Sequence, residues 1–346
     1  MTRIAIIGAG FIGKRHLGVL AGDKAYELAG IADPNPAAEA IAKENGAPYF
    51  ASHDQMLDAV KPDGVIVATP NRLHVETTLA CVARGIPTLL EKPVADTLPE
   101  AAKIVEAAES AKVPLLIGHH RRHHPVMRNA AEALRAGVVG RITAVACLWW
   151  LRKHDGYFDT WRTQAGGGPV LLNAIHDIDC LRMLCGEIES VQAATANAAR
   201  NLTVEDTAAA ILHFANGALG TLIVTDTSPS PLNWDAGTRD TDAGEQPQNS
   251  LFVAGTRASL AVPSLETFRQ APGHFWIDPF SRERLTYNVA DAYKEQMRNF
   301  VAVIRGEETP VVSGREGLMS LACTLAIHES AKTGKPVWLD EFLVRR

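Results

Sequence analysis

Short apolar runs and stretches of helical spacing alternate through the first third of the chain. The runs are RIAII at 3–7, ELAGIA at 27–32, GVIVAT at 64–69, PTLLE at 87–91 and PLLIG at 114–118. Between them, LHVETTLACVARG (73–85) and TLPEAAKIVEAAESAK (97–112) carry apolar residues at helical spacing. The second opens on Thr97 with Glu100 three positions on, a capping-box pair, and Ser52 with Gln55 starts another helix in the same way. This alternation predicts a parallel sheet with helices on both faces, hence an α/β fold. From residue 141 the texture changes to strands joined by turns: ITAVACLWWLR, IESVQAATA, TAAAILHFANGALGTLIVTD and SLFVAGTRASLAVP. The Asn216-Gly217 pair is a hairpin signal. The change divides the chain into an N-terminal domain over 1–122 and a second domain over 123–346. Within the latter, 226–250 is a long polar segment, expected to be a surface or binding loop; Trp234 in it and the later HFWIDP are candidates for an aromatic rim.

Composition narrows the function classes. A chain of 346 residues exceeds the usual limit of one hydrophobic core, which fits two domains. With 47% hydrophobic and 21% charged residues, and a net charge of -5, it has the make-up of a globular protein. No basic run marks a nucleic-acid surface, and no stretch is apolar for long enough to span a bilayer. The five cysteines (Cys81, Cys147, Cys180, Cys185, Cys323) lack C-x-x-C spacing, which points to a reducing compartment rather than a disulfide framework or zinc knuckle. MTRIAIIG enters a strand without signal-peptide character, so the expected location is cytoplasmic.

The first strand runs into GAGFIG, a G-x-G-x-x-G array of Gly8, Gly10 and Gly13 around Phe11 and Ile12. It opens an amphipathic helix and is answered by Asp33, twenty positions after Gly13, at the end of the second strand. In such a unit the first glycine makes the turn, the second admits a pyrophosphate and the third lets helix and strand pack. Asp33 would accept hydrogen bonds from ribose hydroxyls and repel a 2′-phosphate, and PNP after it offers no arginine. The expected cofactor is NAD, with NADP disfavoured.

Ligands of open α/β sheets sit beyond the carboxyl ends of the strands. The polar residues there are Asp33, TPNRLH (69–74), EKP (91–93) and HHRRHHP (119–125). Lys92, at such a strand end, is placed to exchange a hydroxyl proton while hydride leaves the same carbon. Taken with WR…GGGPVLLNAIHDID and GLMSLACTLAIHESAKTGKPV (317–337), these segments occur in the order found in the Gfo/Idh/MocA oxidoreductase family, which the chain resembles over nearly its whole length. The resemblance implies a Rossmann domain, a C-terminal α/β domain on an open, predominantly antiparallel sheet, and a homodimer or homotetramer. It also implies reversible NAD(P)-dependent oxidation of a secondary hydroxyl on a sugar, polyol, cyclitol or sugar acid. By position, Lys92 matches the family's catalytic lysine and His176 its catalytic histidine. Thr69, Pro70, Asn71 and His74 match its cofactor-contacting turn, joined by Glu91, Lys92 and His120 as cofactor-binding candidates, and Trp161 and Arg162 match a W-R pair near the nicotinamide. Two departures stand out. Asn173 stands in place of the acid of a D-x-x-x-H arrangement, and His120 stands where an asparagine or glutamine is common.

The histidine-rich HHRRHH invites a metal, but two arginines oppose a divalent cation and no closed ligand set is near, so none is expected; His123 and His124 then read as a polar helix start. GPVLLNAIHDIDCLRMLCG is punctuated as one helix, with Asn173, His176, Asp177 and Cys180 on one side and Asp179 placed to orient the His176 ring. On spacing alone His176 is a core histidine; the resemblance makes it catalytic, with Lys92 and Asn173. Arg122 and Arg152 are further substrate candidates, suited to a carboxylated sugar. Two other readings of the same fold remain: a glycosidase using transient oxidation by bound NAD, and a non-catalytic NAD-binding regulator.

Overall fold

The computed structural model describes residues 1–23, 25–158, 161–164, 166–240 and 246–344, the side chain of Trp161 excepted. They form two compact units, Met1–His123 with Asp291–Met319, and His124–Ala290 with Ser320–Arg346.

The first unit is built on six parallel strands: β1 (Thr2–Ile7), β2 (Tyr26–Ala32), β3 (Tyr49–Phe50), β4 (Gly64–Val67), β5 (Thr88–Leu90) and β6 (Leu115–Ile117), in the order β3-β2-β1-β4-β5-β6. This is the doubly wound dinucleotide-binding order, whose ligands gather where the strand order reverses, beside β1 and β4. The strands are short and buried on both faces, as a helix-covered parallel sheet requires, with Ile4, Ile6, Ile31, Ile66, Leu89 and Leu116 all at zero exposure. Helix Leu98–Ala111 starts where the capping pair places it, with Thr97 Oγ1 accepting from the Glu100 N–H and donating to the Glu100 carboxylate. Helix His53–Val60 follows Ser52, which makes no side-chain cap. The strand expected to reach residue 69 stops at Val67, leaving Thr69 in the following turn.

A single cut after residue 122 does not describe the molecule. Helix Ala292–Ile304, capped by the Asp291 carboxylate on the Tyr293 and Lys294 N–H groups, joins the first unit and buries Met297 and Phe300 in its core with Leu17, Leu20 and Ile66. Helical spacing shows that a helix has a face to bury; it carries no record of which core receives it.

The second unit carries nine strands: β7 (Ile142–Trp150), β8 (Ile188–Ala196), β9 (Thr207–Phe214), β10 (Leu219–Thr225), β11 (Leu251–Gly255), β12 (Ala258–Val262), β13 (Glu266–Arg269), β14 (Ser281–Arg284) and β15 (Val337–Trp338). Their order is β14-β13-β12-β11-β7-β10-β9-β8-β15, and β7 with β10 is the parallel pair in an otherwise antiparallel sheet. Asn216-Gly217 turns β9 into β10, Gly217 at a φ of +85°. Along β9 buried and exposed residues alternate, so one sheet face is covered. The uncovered face shows Ile211, Leu219 and Phe252. Segment GPVLLNAIHDIDCLRMLCG is two pieces, a π-helical turn over Val170–Ala174 and an α-helix over Ile175–Cys185.

The expectation for Trp234 is overturned. It begins a short helix, Trp234–Thr238, is 2% exposed and donates its indole N–H to Asp240, so it lines no open rim. Within the same loop, residues 241–245 lie outside those described. Phe275, Trp276 and Ile277 of HFWIDP are well exposed. All five cysteines are buried and none is in a disulfide, and no described helix is long and apolar enough to cross a membrane.

Candidate functional site

The glycine turn after β1 separates three physical demands. Gly8 sits at φ +99°, and a Cβ on it would lie 2.5 Å from the Ala68 carbonyl oxygen, so turn and neighbouring strand both require glycine. A Cβ on Gly13 would overlap the Gly8 carbonyl oxygen, because helix Phe11–Ala21 approaches the turn that closely. Gly10 is different: it caps that helix in extended conformation (φ -71°, ψ -161°), and nothing lies within 4 Å of where its Cβ would be. The space over Gly10, with the helix N–H groups behind it, suits an anion. Asp33, just past β2, accepts hydrogen bonds from the Ala9 and Asn35 N–H groups at 2.8 Å each. A carboxylate has about four acceptor positions, so two remain for ribose hydroxyls.

Past β4 comes the Thr69–His74 turn. His74 is fully buried, and its ring faces two backbone carbonyls, Pro93 O at 2.8 Å from Nδ1 and Thr69 O at 3.0 Å from Nε2. The ring thus ties the turn after β4 to the turn after β5. Burial lowers its pKa against the opposing pull of those carbonyls. Asn71 and Leu73 are partly exposed and Pro70 is exposed.

Glu91 and Lys92 follow β5, with a cis peptide between Lys92 and Pro93. Glu91 is 6% exposed; its Oε1 lies 2.8 Å from Nε2 of the wholly buried His16, and its Oε2 accepts from the Lys92 N–H at 3.3 Å. Burial works to raise the Glu91 pKa. The His16 hydrogen bond and the charges of His16, His120 and Lys92 outweigh it, holding the carboxyl below its ordinary range. Lys92 is half-buried, its main chain anchored beside a buried anion. His120 stacks on Tyr293 at 4.5 Å, and Tyr293 meets His16 edge-on at 5.6 Å. His120 to His123 form a buried turn of 3-10 helix, and His124 caps the next helix by accepting from the Val126 N–H. Among the described residues no group of three His, Cys, Asp or Glu is arranged to hold a metal.

In the second unit His176 lies buried in the first turn of helix Ile175–Cys185, and Asn173 lies in the π-helical turn before it. The D-x-x-x-H comparison needs a correction of register. Four positions before His176 is Leu172; Asn173 is three before it. Asn173 Oδ1 accepts a 2.6 Å hydrogen bond from Lys153 Nζ. Lys153, 7% exposed, is the residue that sequence reasoning missed. Its ammonium lies 4.4 Å from the Tyr157 ring centre, 5.5 Å from that of Trp149 and 3.9 Å from Asp226 Oδ2. Asp226 also accepts from Arg200 Nε at 3.0 Å. Burial raises the Asp226 pKa, against the lowering pull of Arg200 and Lys153. The Arg162 guanidinium lies 4.3 Å from the centre of the same Tyr157 ring.

The two arginines named as substrate candidates differ in setting. Arg152 is exposed, and Arg122 is buried with its guanidinium paired to Glu316 at 2.8 Å. Strand parity carried the missed signal: 149, 151 and 153 share one face and 152 points to the other. Beyond the end of β7, the Leu151 N–H donates to Thr225 O and the Lys153 N–H to Asp226 O. Asp179 Oδ1 accepts from Ser320 Oγ, which also accepts from Arg182, so that carboxylate belongs to a buried network on the last long helix. The Trp161 side chain lies outside the described residues.

A glycine cradle at a helix N-terminus with an acid just past the next strand is a dinucleotide-binding arrangement. Residues 2–119 match the oxidoreductase family with NAD-binding Rossmann fold, and residues 131–339 match the C-terminal α/β domain of the same family. The chain belongs to the Gfo/Idh/MocA oxidoreductase family. It is 27% identical to 1,5-anhydro-D-fructose reductase of Ensifer adhaerens over 98% of this chain and 99% of that one. It is 35% identical to the rhizopine catabolism protein MocA of Rhizobium meliloti over 54% of this chain and 57% of that one. The WlbA dehydrogenase of Bordetella pertussis, solved with NADH and UDP-GlcNAcA, superposes with a TM-score of 0.79 at 28% identity, covering 97% of this chain and 98% of that one.

Proposed function

We propose that this oxidoreductase is an NAD-dependent dehydrogenase that oxidises a secondary hydroxyl of a sugar, polyol, cyclitol or sugar acid, and reduces the corresponding ketone in reverse. The observation that carries the reading is the sequence of adjacent parallel strand ends β1, β4 and β5, bearing in turn the glycine cradle, the Thr69–His74 turn and Lys92. Strands in a sheet are ~4.8 Å apart, which puts the end of β5 about 10 Å from the cradle along one edge. Asp33, with acceptor positions to spare and a charge that opposes a 2′-phosphate, supports NAD over NADP.

Bound there, the nicotinamide supplies the acceptor for the hydride that leaves the substrate carbon. The neutral Lys92 amine takes the hydroxyl proton as the carbonyl forms, and the ammonium returns it in the reverse direction. The buried Glu91 carboxylate, kept ionised by His16, holds the Lys92 main chain in place. His176 and Asn173 hydrogen-bond the substrate oxygens. The test is NADH absorbance with a panel of polyols, sugars and sugar acids, comparing the parent with Lys92→Ala. A substrate that yields NADH with the parent, and at least a hundredfold more slowly with the variant, is the expected result. An undiminished rate in Lys92→Ala overturns the lysine assignment. Sugar released from a glycoside without net NADH overturns the dehydrogenase reading.

A further inference from the structure

Asn173 is a two-sided group: its carboxamide offers an acceptor at one end and a pair of donors at the other. Lys153 decides which end faces where. An ammonium has donors only, so an amide nitrogen turned towards it would be repelled, and Oδ1 must take the 2.6 Å contact. Asn173 Nδ2 then points the other way, and it donates to no described residue. The ammonium is itself held on several sides, by Asp226 and by the faces of Tyr157 and Trp149. Its main chain is braced too, with its N–H donating to Asp226 O and its carbonyl accepting from Arg200. A buried lysine pinned this firmly has little freedom to leave its amide partner.

We infer that Lys153 is a positioning residue for the reaction: it locks the Asn173 carboxamide so that the NH2 group is offered to a substrate oxygen. The inference rests on the reading that Asn173 meets substrate. It makes this position a donor, where a carboxylate would be an acceptor. The recognised atom is accordingly a carbonyl, an ionising hydroxyl or a carboxylate oxygen, and donation strengthens as negative charge builds on that oxygen. A carboxylate placed at 173 would instead pair with Lys153 and lose its donor.

The test uses the whole enzyme, NADH formation from the best substrate among myo-inositol, D-xylose and D-glucuronate, thermal melting, and NADH fluorescence titration. Asn173→Asp keeps the contact to Lys153 but removes the donor. It should melt no lower than the parent, bind NADH normally, and raise KM by about tenfold, the loss of one net hydrogen bond to the substrate. Lys153→Met keeps the stem over the rings but frees the amide, and should raise KM to a similar extent, while Lys153→Arg restores part of it. The double variant Lys153→Met with Asn173→Ala should be no worse than Asn173→Ala alone, since one removes what the other only orients. If Lys153→Met unfolds, Lys153→Arg and Asn173→Asp still decide the matter. Full activity in Asn173→Asp, or losses that multiply in the double variant, overturns the positioning role. Unchanged kinetics in Asn173→Ala instead removes Asn173 from the substrate, which is failure of the reading beneath and is visible as such.

Discussion

Gly10→Ala separates what the fold needs from what the cofactor needs. In the protein alone the new methyl meets nothing within 4 Å, and the backbone at φ -71° and ψ -161° is extended and open to alanine. Alanine is a poorer helix cap than glycine by about 0.5 kcal/mol. Its smaller unfolded-state entropy returns roughly 0.4–1 kcal/mol. The two nearly cancel, so the melting temperature should stay within about 2 °C of the parent. With a dinucleotide bound the account differs. Backbone N–H groups hold phosphate oxygens at ~2.9 Å, whereas a methyl carbon needs ~3.5 Å from any heavy atom. A displacement of that order forfeits one or two hydrogen bonds to a charged group, at about 1.5–3 kcal/mol each, which is more than tenfold in Kd. The assays are thermal melting without ligand and NADH fluorescence titration. Gly8→Ala is the control that should fail in both, because its Cβ would lie 2.5 Å from Ala68 O at a φ of +99°. NADH bound by Gly10→Ala within twofold of the parent, with melting intact, would refute the argument that the pyrophosphate passes over this glycine.

Other consequences follow from the same geometry. Asp33→Ser should narrow the preference for NAD over NADP by about fivefold or more, since an anion ~4 Å from a phosphate costs roughly 1–4 kcal/mol between water-like and surface dielectric; an unchanged ratio of the two kcat/KM values counts against the ribose assignment. Glu91→Ala strips the buried His16 ring of its hydrogen-bond partner, and orphaning a buried polar group costs about 1–3 kcal/mol; an unchanged melting temperature would show that the pair is idle. The pH dependence has a definite sign. His74 has its folded pKa lowered, so the folded state resists protonation there, and stability should fall as pH drops below the ordinary histidine range. Glu91 also has its folded pKa lowered, so its contribution is present above the ordinary carboxylate range and disappears as pH falls through the still lower folded value. Melting curves from pH 8 to 2 should therefore decline in two stages, and loss of the upper stage is expected in His74→Gln.

Much of the first unit was legible because its signals are local. GAGFIG, the acid after the second strand and the alternation of apolar runs with amphipathic segments each depend on neighbours a few residues away. What escaped was long-range or too brief to show a period. Strand Tyr49–Phe50 is two residues long, and helix Ala292–Ile304 joins a core formed some two hundred residues earlier. The second unit showed its strands through alternation. Trp234 was misread because a polar loop suggests exposure, whereas its indole is enclosed with Asp240 as partner.

The site shows the same division, with one instructive exception. Lys92 drew attention because E-K-P closes a strand and, with the downstream histidine, follows the family's order. Arg152 drew attention over Lys153 because arginine suits carboxylates. The decisive fact was parity: with Trp149 buried, residue 153 falls on the buried face and residue 152 on the open one. A charge on a covered face is expensive unless it is partnered, so its partners must be near. Asp226 and Asn173, 73 and 20 positions away, meet that demand. The helical count that grouped Asn173 with His176 assumed 3.6 residues per turn, and the π-helical turn over Val170–Ala174 breaks that assumption where the two residues join. Neither the histidine nor the amide could therefore be assigned a direction from spacing. Only the ammonium opposite Asn173 supplies one, and it turns the amide nitrogen into the group left to meet a ligand.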